Sequence, residues 1–68
     1  MEVRINGKPE TVSDKSTVGS VLAARELDPA LVSVEHNGNI LERSQFSSTV
    51  LSAGDELEIL FFMGGGQA

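Results

Sequence analysis

Residues 54–63 read Gly-Asp-Glu-Leu-Glu-Ile-Leu-Phe-Phe-Met and carry the strongest signal for the architecture of this chain. A turn signal at Gly54-Asp55 precedes a long strand that we predict from Glu56 to Met63. Alternation along this strand gives one apolar face of Leu57, Ile59, Phe61 and Met63. The opposite face carries Glu58, Leu60 and Phe62. A strand that is apolar on both faces is typical of the centre of a sheet, where we therefore expect it.

Two Asn-Gly dipeptides, Asn6-Gly7 and Asn37-Gly38, stand between short apolar runs. A type I′ turn needs positive φ at two consecutive residues, so Asn-Gly is a strong signal of a β-hairpin. The first dipeptide predicts strands over residues 1–5 and 8–12. Pro9 lacks an N–H group, which places the second of these strands at a sheet edge. The second dipeptide predicts strands over residues 31–36 and 39–41.

Between the hairpins, the sequence predicts one short helix from Val18 to Glu26. Either Ser16 or Thr17 can cap its start. Its apolar positions repeat at helical spacing and are Val18, Val21 and Leu22. We expect Asp28-Pro29 to end the helix, since the residue before a proline avoids the α region.

The element order is hairpin, helix, hairpin, loop and strand, which indicates an α+β domain over residues 1–63. Residues 64–68 would form a flexible, glycine-rich tail. A helix with a single apolar stripe has to lie on one face of the sheet. If the last strand pairs in parallel with the first, the result is a β-grasp fold, a mixed sheet of about five strands under one helix. The element order permits this topology.

Composition excludes several classes of function. The chain has 68 residues and a formal net charge of −5, and it contains no cysteine. One domain of this size depends on a single apolar core, without help from disulfides or thiolate-bound metal. The acidic balance argues against nucleic acid and favours a basic protein surface as partner. No apolar run approaches the ~20 residues of a membrane span, and the N-terminus resembles no signal peptide, so we expect a cytoplasmic protein.

The residues that usually carry chemistry are sparse. His36 is the only histidine, and we expect it at the rim of a strand end rather than as a general base. No serine lies in a Gly-x-Ser-x-Gly motif. Glu56 and Glu58 share a strand face and could bind a cation, but such a small acidic cluster is more often a solvated face or a docking patch. We expect no metal site and no catalytic side chain.

The glycine run Gly64-Gly65-Gly66 has two possible meanings. It is not a phosphate-binding loop, because only Gln67 and Ala68 follow it in this chain. It is either a chain end without a role or an arm that enters a narrow enzyme tunnel, where a backbone without side chains fits. The neighbouring Leu60 and Phe62 favour the arm, because an exposed apolar patch usually marks a partner surface. Alternatively, both side chains pack under residues 42–51 as a second small core.

Several stretches resemble a known family when they are taken together. They are Val3-Arg4-Ile5-Asn6-Gly7, Thr17-Val18, Val34 to Leu41, Arg43, and Gly54 to Ile59 leading into the glycine tail. Over essentially its whole length the chain resembles the ThiS family, the ubiquitin-like sulfur carrier proteins of bacterial thiamine biosynthesis. The resemblance implies a ubiquitin-like β-grasp fold. Counted from Gly54-Asp55, the terminal Gly-Gly of the family falls on Gly65-Gly66.

The resemblance also implies a mechanism. An adenylyltransferase of the ThiF/E1-like class uses ATP and magnesium to adenylate the carboxylate of the terminal glycine, here Gly66. Persulfide sulfur from a cysteine desulfurase or a rhodanese-type donor then replaces AMP, which gives a thiocarboxylate. Thiazole synthase takes the sulfur. The carrier would bind no permanent cofactor, and Leu60, Phe62 and Glu58 are the residues expected to dock its partners.

The residues after Gly66 depart from the family pattern. Gln67-Ala68 holds the Gly66 carboxyl group in a peptide bond, so we expect a peptidase to remove it, unless it is a remnant of cloning. The extension keeps other sulfur pathways open, to an amino acid, a siderophore-like metabolite or molybdopterin. Two further classes also remain open. The chain could be a ubiquitin-like modifier joined through Gly66 to a lysine, or a binding module with an inert tail.

Overall fold

The computed structural model describes residues 1–62, which form five strands and one α-helix. The strands are β1 (Glu2–Ile5), β2 (Lys8–Thr11), β3 (Val32–His36), β4 (Asn39–Leu41) and β5 (Glu56–Phe61), and the helix is α1 (Val18–Ala24). Two short 3₁₀ helices, Pro29–Leu31 and Arg43–Gln45, lie in the connections. Neither was predicted from the sequence.

The sheet has the order β2-β1-β5-β3-β4, with β5 at its centre. β5 pairs in parallel with β1, while all other neighbours are antiparallel. This is the predicted mixed β-grasp sheet. Pro9 lies opposite Arg4 on the edge strand β2, where its missing N–H group costs no ladder bond.

Both Asn-Gly dipeptides form the predicted type I′ turns, with φ of 52° and 83° at Asn6-Gly7 and 52° and 86° at Asn37-Gly38. Each asparagine side chain also pairs with β5. The Asn6 Oδ1 atom accepts from the Ile59 N–H group at 2.7 Å, and Asn6 Nδ2 donates to the Ile59 carbonyl at 3.2 Å. The Asn37 Oδ1 atom accepts from the Glu56 N–H group at 2.9 Å. The two turns thus hold the central strand from both sides.

Helix α1 begins as predicted but ends earlier. Thr17 caps it, accepting from the Ser20 N–H group at 3.0 Å. At the other end, Glu26 adopts a left-handed conformation with φ of 59°, and the Leu27 N–H group donates to the Leu22 carbonyl at 2.9 Å. This is a Schellman ending. The expectation that Asp28-Pro29 ends the helix was wrong, because that dipeptide instead opens the first 3₁₀ helix.

The core lies between α1 and one face of the sheet. Its buried side chains are Val3, Ile5, Val18, Val21, Leu22, Val32, Val34, Phe46, Leu51, Leu57 and Ile59. The segment 42–51 packs on this same side, since the Gly19 N–H group donates to the Phe46 carbonyl at 2.9 Å and the Leu51 N–H group to the Ser16 carbonyl at 2.8 Å. The other face of the sheet, which we call the open face, is therefore left uncovered by helix or loop among residues 1–62.

Phe61 lies on the predicted apolar face of β5 but is not part of the core. It lies on the same face as Leu57 and Ile59, yet 59% of it is exposed. Phe61 borders an open pocket with Arg25 and Leu27, which come just after α1 in the chain. The helix covers Leu57 and Ile59 but not the end of the strand, and Met63 lies outside the described residues.

Candidate docking face at the end of the central strand

The open face presents apolar side chains where β5 ends. Leu60 lies opposite Ser33 of β3 and is 57% exposed, and Phe62, directly after the strand, is 59% exposed. Ile40 on the edge strand β4 is 75% exposed. We call Ile40, Leu60 and Phe62 the apolar patch. The alternative in which Leu60 and Phe62 form a second core under residues 42–51 is wrong, because that segment packs on the helix side.

Acidic side chains border the patch on the open face. Glu58 lies directly opposite Glu35 of β3, and Glu56 precedes it on the same face of β5. No Lys or Arg side chain among residues 1–62 forms an ion pair with any of the three. Like charges directly opposite each other destabilise a sheet by roughly 0.2–1 kcal/mol. We call Glu35, Glu56 and Glu58 the acidic stripe. Its place beside the apolar patch suits a partner with basic side chains around an apolar centre.

The base of the tail lies at the same end of β5. The Phe62 N–H group donates to the Leu31 carbonyl at 3.0 Å, so the sheet fixes the backbone immediately before Met63. The predicted tail residues Gly64, Gly65 and Gly66 and the extension Gln67-Ala68 lie outside the described residues. Phe62 of the apolar patch is therefore the last described residue, two positions before the predicted tail in the sequence.

His36 lies opposite Leu57, near the start of β5 and away from the apolar patch, where it takes part in a network of hydrogen bonds. His36 Nε2 lies 2.8 Å from Asp55 Oδ2, which also accepts from the Ser52 N–H group at 2.9 Å. Asn37 Nδ2 donates to Asp55 Oδ1 at 3.2 Å. Burial raises the pKa of Asp55, but the hydrogen bonds from His36, Ser52 and Asn37 outweigh it, so the pKa lies below its ordinary value of 3.8. The network fastens the β3–β4 turn to the loop that leads into β5.

Comparison with known proteins identifies the family. The family model described as "ThiS family" matches residues 3–66, nearly the whole chain. The chain belongs to the ThiS family. A crystal structure of the thiamine biosynthesis protein ThiS from Geobacter metallireducens superposes with a TM-score of 0.84 at 42% identity, covering 97% of this chain and 100% of that one.

Curated relatives include both a short and a long kind of protein. The sulfur carrier protein ThiS of Bacillus subtilis is 32% identical over 65 residues, covering 94% of this chain and 98% of that protein. Thiazole synthases of Magnetococcus marinus and Paramagnetospirillum magneticum are 31% and 36% identical over 98% and 97% of this chain. The chain spans about a fifth of the length of these two synthases, 21% and 20%.

For this ThiS-family chain, the structure brings together three of the predicted site residues. Leu60 and Phe62 project from the open face beside Glu58, one strand residue apart from each other and close to the tail. Sequence reasoning missed Ile40, whose place after the Asn37-Gly38 turn was the available signal. Within residues 1–62, no group of three or more His, Asp or Glu side chains is arranged to hold a metal ion, and no helix is long and apolar enough to cross a membrane.

Proposed function

We propose that this ThiS-family chain is a sulfur carrier that supplies sulfur for thiazole formation in thiamine biosynthesis. The observation that carries the proposal is the family match, which extends through the glycine run and stops at Gly66. The sulfur carrier of Bacillus subtilis, similar over nearly its full length, supports it. The chain would act as a protein co-substrate rather than as a catalyst, with its reactive group on the backbone of Gly66.

The chemistry requires a free carboxylate at Gly66. As long as the Gly66–Gln67 peptide bond is intact, the Gly66 carbonyl carbon is bonded to an amide nitrogen, and there is no carboxylate oxygen to attack ATP. We therefore include hydrolysis of that bond as a first step. The released carboxylate oxygen then attacks the α-phosphorus of magnesium-bound ATP, and pyrophosphate leaves. The resulting acyl-adenylate turns a poor leaving group into a good one, AMP.

Sulfur enters by displacement at the same carbonyl carbon. The terminal sulfur of a persulfide, on a cysteine desulfurase or a rhodanese-type donor, attacks the acyl-adenylate and expels AMP. A thiol then reduces the remaining S–S bond, which leaves a thiocarboxylate on Gly66. Thiazole synthase is the proposed acceptor. Two curated relatives that contain a region similar to this chain are thiazole synthases, which supports this choice of acceptor.

The apolar patch and the acidic stripe provide the docking surface for the activating enzyme, a ThiF/E1-like adenylyltransferase. Leu60 and Phe62 expose more than half of their area and lie next to the tail, so binding there positions Gly66. Aromatic and aliphatic anchors of this kind typically dominate the energy of an interface. Glu58, across from Glu35, would meet basic side chains of the partner.

Mass spectrometry of the intact chain from its own host tests the proposal. We expect a species that ends at Gly66, with a fraction in which one oxygen is replaced by sulfur. A chain that stays intact through Ala68 while thiamine is in demand would contradict the processing step. Ladders of conjugates with other proteins would indicate a modifier instead, and a growth requirement for a different sulfur metabolite would assign another pathway.

Variants of the docking surface test its role separately. Leu60→Ala and Phe62→Ala should each weaken adenylation by about tenfold or more while the protein remains folded, because both side chains are largely exposed. Lys8→Ala on the edge strand β2 is the matched control and should leave adenylation unchanged. If the two apolar variants unfold the protein, these side chains serve the fold rather than a partner.

A further inference from the structure

The short strand β4 leaves a groove open at the edge of the sheet. β4 pairs with Val34, Glu35 and His36 only, so the first residues of β3 have no strand beside them on the side away from β5. An open groove of about 490 Å³ lies there, between the two 3₁₀ helices. We call it the edge groove. Its walls are mostly apolar and include Pro29, Val32, Ile40, Leu41, Phe46 and Phe62.

Arg43 is the one charged residue among those that line the edge groove. It begins the second 3₁₀ helix and is exposed. Among residues 1–62, no carboxylate lies within ion-pair distance of its guanidinium group, whereas Arg25 lies 3.7 Å from Glu10 and Arg4 donates to the Gly7 carbonyl at 2.7 Å. Within residues 1–62, this guanidinium is therefore available for a carboxylate from another molecule, in a chain with ten acidic and five basic residues.

The edge groove and the apolar patch form one continuous surface. Ile40 and Phe62 belong to both, and Phe62 is the last residue before the segment that carries the tail. A protein that binds the patch and reaches Gly66 therefore also meets the groove. Along this surface the charge changes sign, from the Glu35–Glu58 pair on the open face to Arg43 at the edge.

We propose that the enzyme that adenylates Gly66 fills the edge groove with an apolar side chain and places a carboxylate on Arg43. The inference rests on the proposed function and names the chemistry of its partner: basic side chains opposite Glu35 and Glu58, and an acidic one opposite Arg43. Arginine suits this role because its planar guanidinium pairs with a carboxylate through two parallel hydrogen bonds. Charges of both signs fix the orientation of the bound carrier, so that the tail points into the active site.

Charge reversal with a matched control tests the proposal. Arg43→Glu and Lys8→Glu change the net charge equally, but Lys8 lies on β2, at the opposite edge of the sheet. The assay is ATP–pyrophosphate exchange by the ThiF-class enzyme of the same organism, with each chain in the form in which the parent is adenylated. We expect Arg43→Glu to raise the KM for the carrier by about tenfold or more and Lys8→Glu by about twofold or less. Arg43→Lys, which keeps the charge but loses the planar fork, should fall between them.

Each alternative result has a defined meaning. Equal effects of Arg43→Glu and Lys8→Glu, with both variants as stable to heat as the parent, would overturn the proposal, since they would reflect net charge alone. If Arg43→Glu leaves exchange unchanged but slows sulfur transfer to thiazole synthase, the groove belongs to a different partner and the proposal is again overturned. If the parent itself supports no exchange in any form, the proposed function fails, independently of the groove.

Discussion

Asn6 is an exposed turn residue whose replacement should remove a large share of the fold's stability. Strand β1 ends at Ile5, yet its neighbour β5 continues for several residues. The Asn6 side chain extends the ladder there, with an acceptor for the Ile59 N–H group at 2.7 Å and a donor for the Ile59 carbonyl at 3.2 Å. An amide side chain can satisfy both groups because it reproduces the donor and acceptor of a peptide unit.

The expected cost follows from these two bonds and from the backbone. Each bond contributes roughly 0.5–1.5 kcal/mol net, so Asn6→Gly, which still tolerates φ of 52°, should lose about 1–3 kcal/mol. Asn6→Ala should lose about 1–2 kcal/mol more than Asn6→Gly, because alanine has neither the backbone freedom of glycine nor the polar side chain that lets asparagine adopt this φ. A domain of 68 residues has a total stability of roughly 3–10 kcal/mol. The alanine variant would therefore approach the limit of folding.

Urea unfolding followed by far-ultraviolet circular dichroism is the suitable assay, because the chain has neither Trp nor Tyr for fluorescence. Asn39→Ala serves as control, since Asn39 is an exposed strand residue whose side chain makes no hydrogen bond to the described part of the chain. We expect it to change stability by less than about 0.5 kcal/mol. If Asn6→Gly matches this control, the side chain of Asn6 does not support β5 and the reasoning is refuted.

Four further substitutions test other parts of the fold. Glu26→Gly should raise the free energy of unfolding by about 0.5–1 kcal/mol, because it relieves the left-handed backbone at the end of α1; a lower urea midpoint would contradict this. Asp55→Asn should destabilise the protein at neutral pH. Because folding lowers the pKa of Asp55 below 3.8, the stabilisation by its carboxylate is full above that value and disappears as pH falls through the folded pKa. The difference in unfolding free energy between parent and variant should therefore shrink in acid, and a difference that stays constant across a pH series would refute this expectation. Leu57→Ala, at a side chain that is 1% exposed, should lower the free energy of unfolding by about 2–5 kcal/mol, and Phe61→Ala, at one that is 59% exposed, by less than about 1 kcal/mol. Equal losses of stability in thermal unfolding would contradict the conclusion that Phe61 lies outside the core.

Local signals predicted most of the elements of this fold. Positive φ at two consecutive residues is a demand of the backbone itself, so Asn6-Gly7 and Asn37-Gly38 could be assigned without knowledge of the tertiary structure. The same holds for the start of α1, where the Thr17 cap is made to a residue of the first helical turn. The end of α1 was mistaken because a left-handed Glu26 carries no sequence signal comparable to glycine.

The candidate site could be predicted only in part. Alternation along β5 correctly separated Leu60 and Phe62 from Leu57 and Ile59, since successive side chains of a strand point to opposite faces. Which face is covered depends on where the helix and segment 42–51 pack. Ile40 and Arg43 join the surface because β3 and β4 bring distant residues next to the end of β5.

The two hairpins, the start of α1 and the two faces of β5 could be predicted from the amino-acid sequence alone, because each follows from residues that are near one another in the chain. The family could be predicted as well, from stretches spread over the chain and taken together. How much of β5 is buried under α1 and segment 42–51 became known from the tertiary structure alone. That structure showed that Phe61 is left exposed after α1 ends, that segment 42–51 packs on the helix side, and that Asn6 and Asp55 bond to partners remote in sequence. These features depend on where elements distant in the sequence pack against each other, and the local pattern of residues carries no information about such packing.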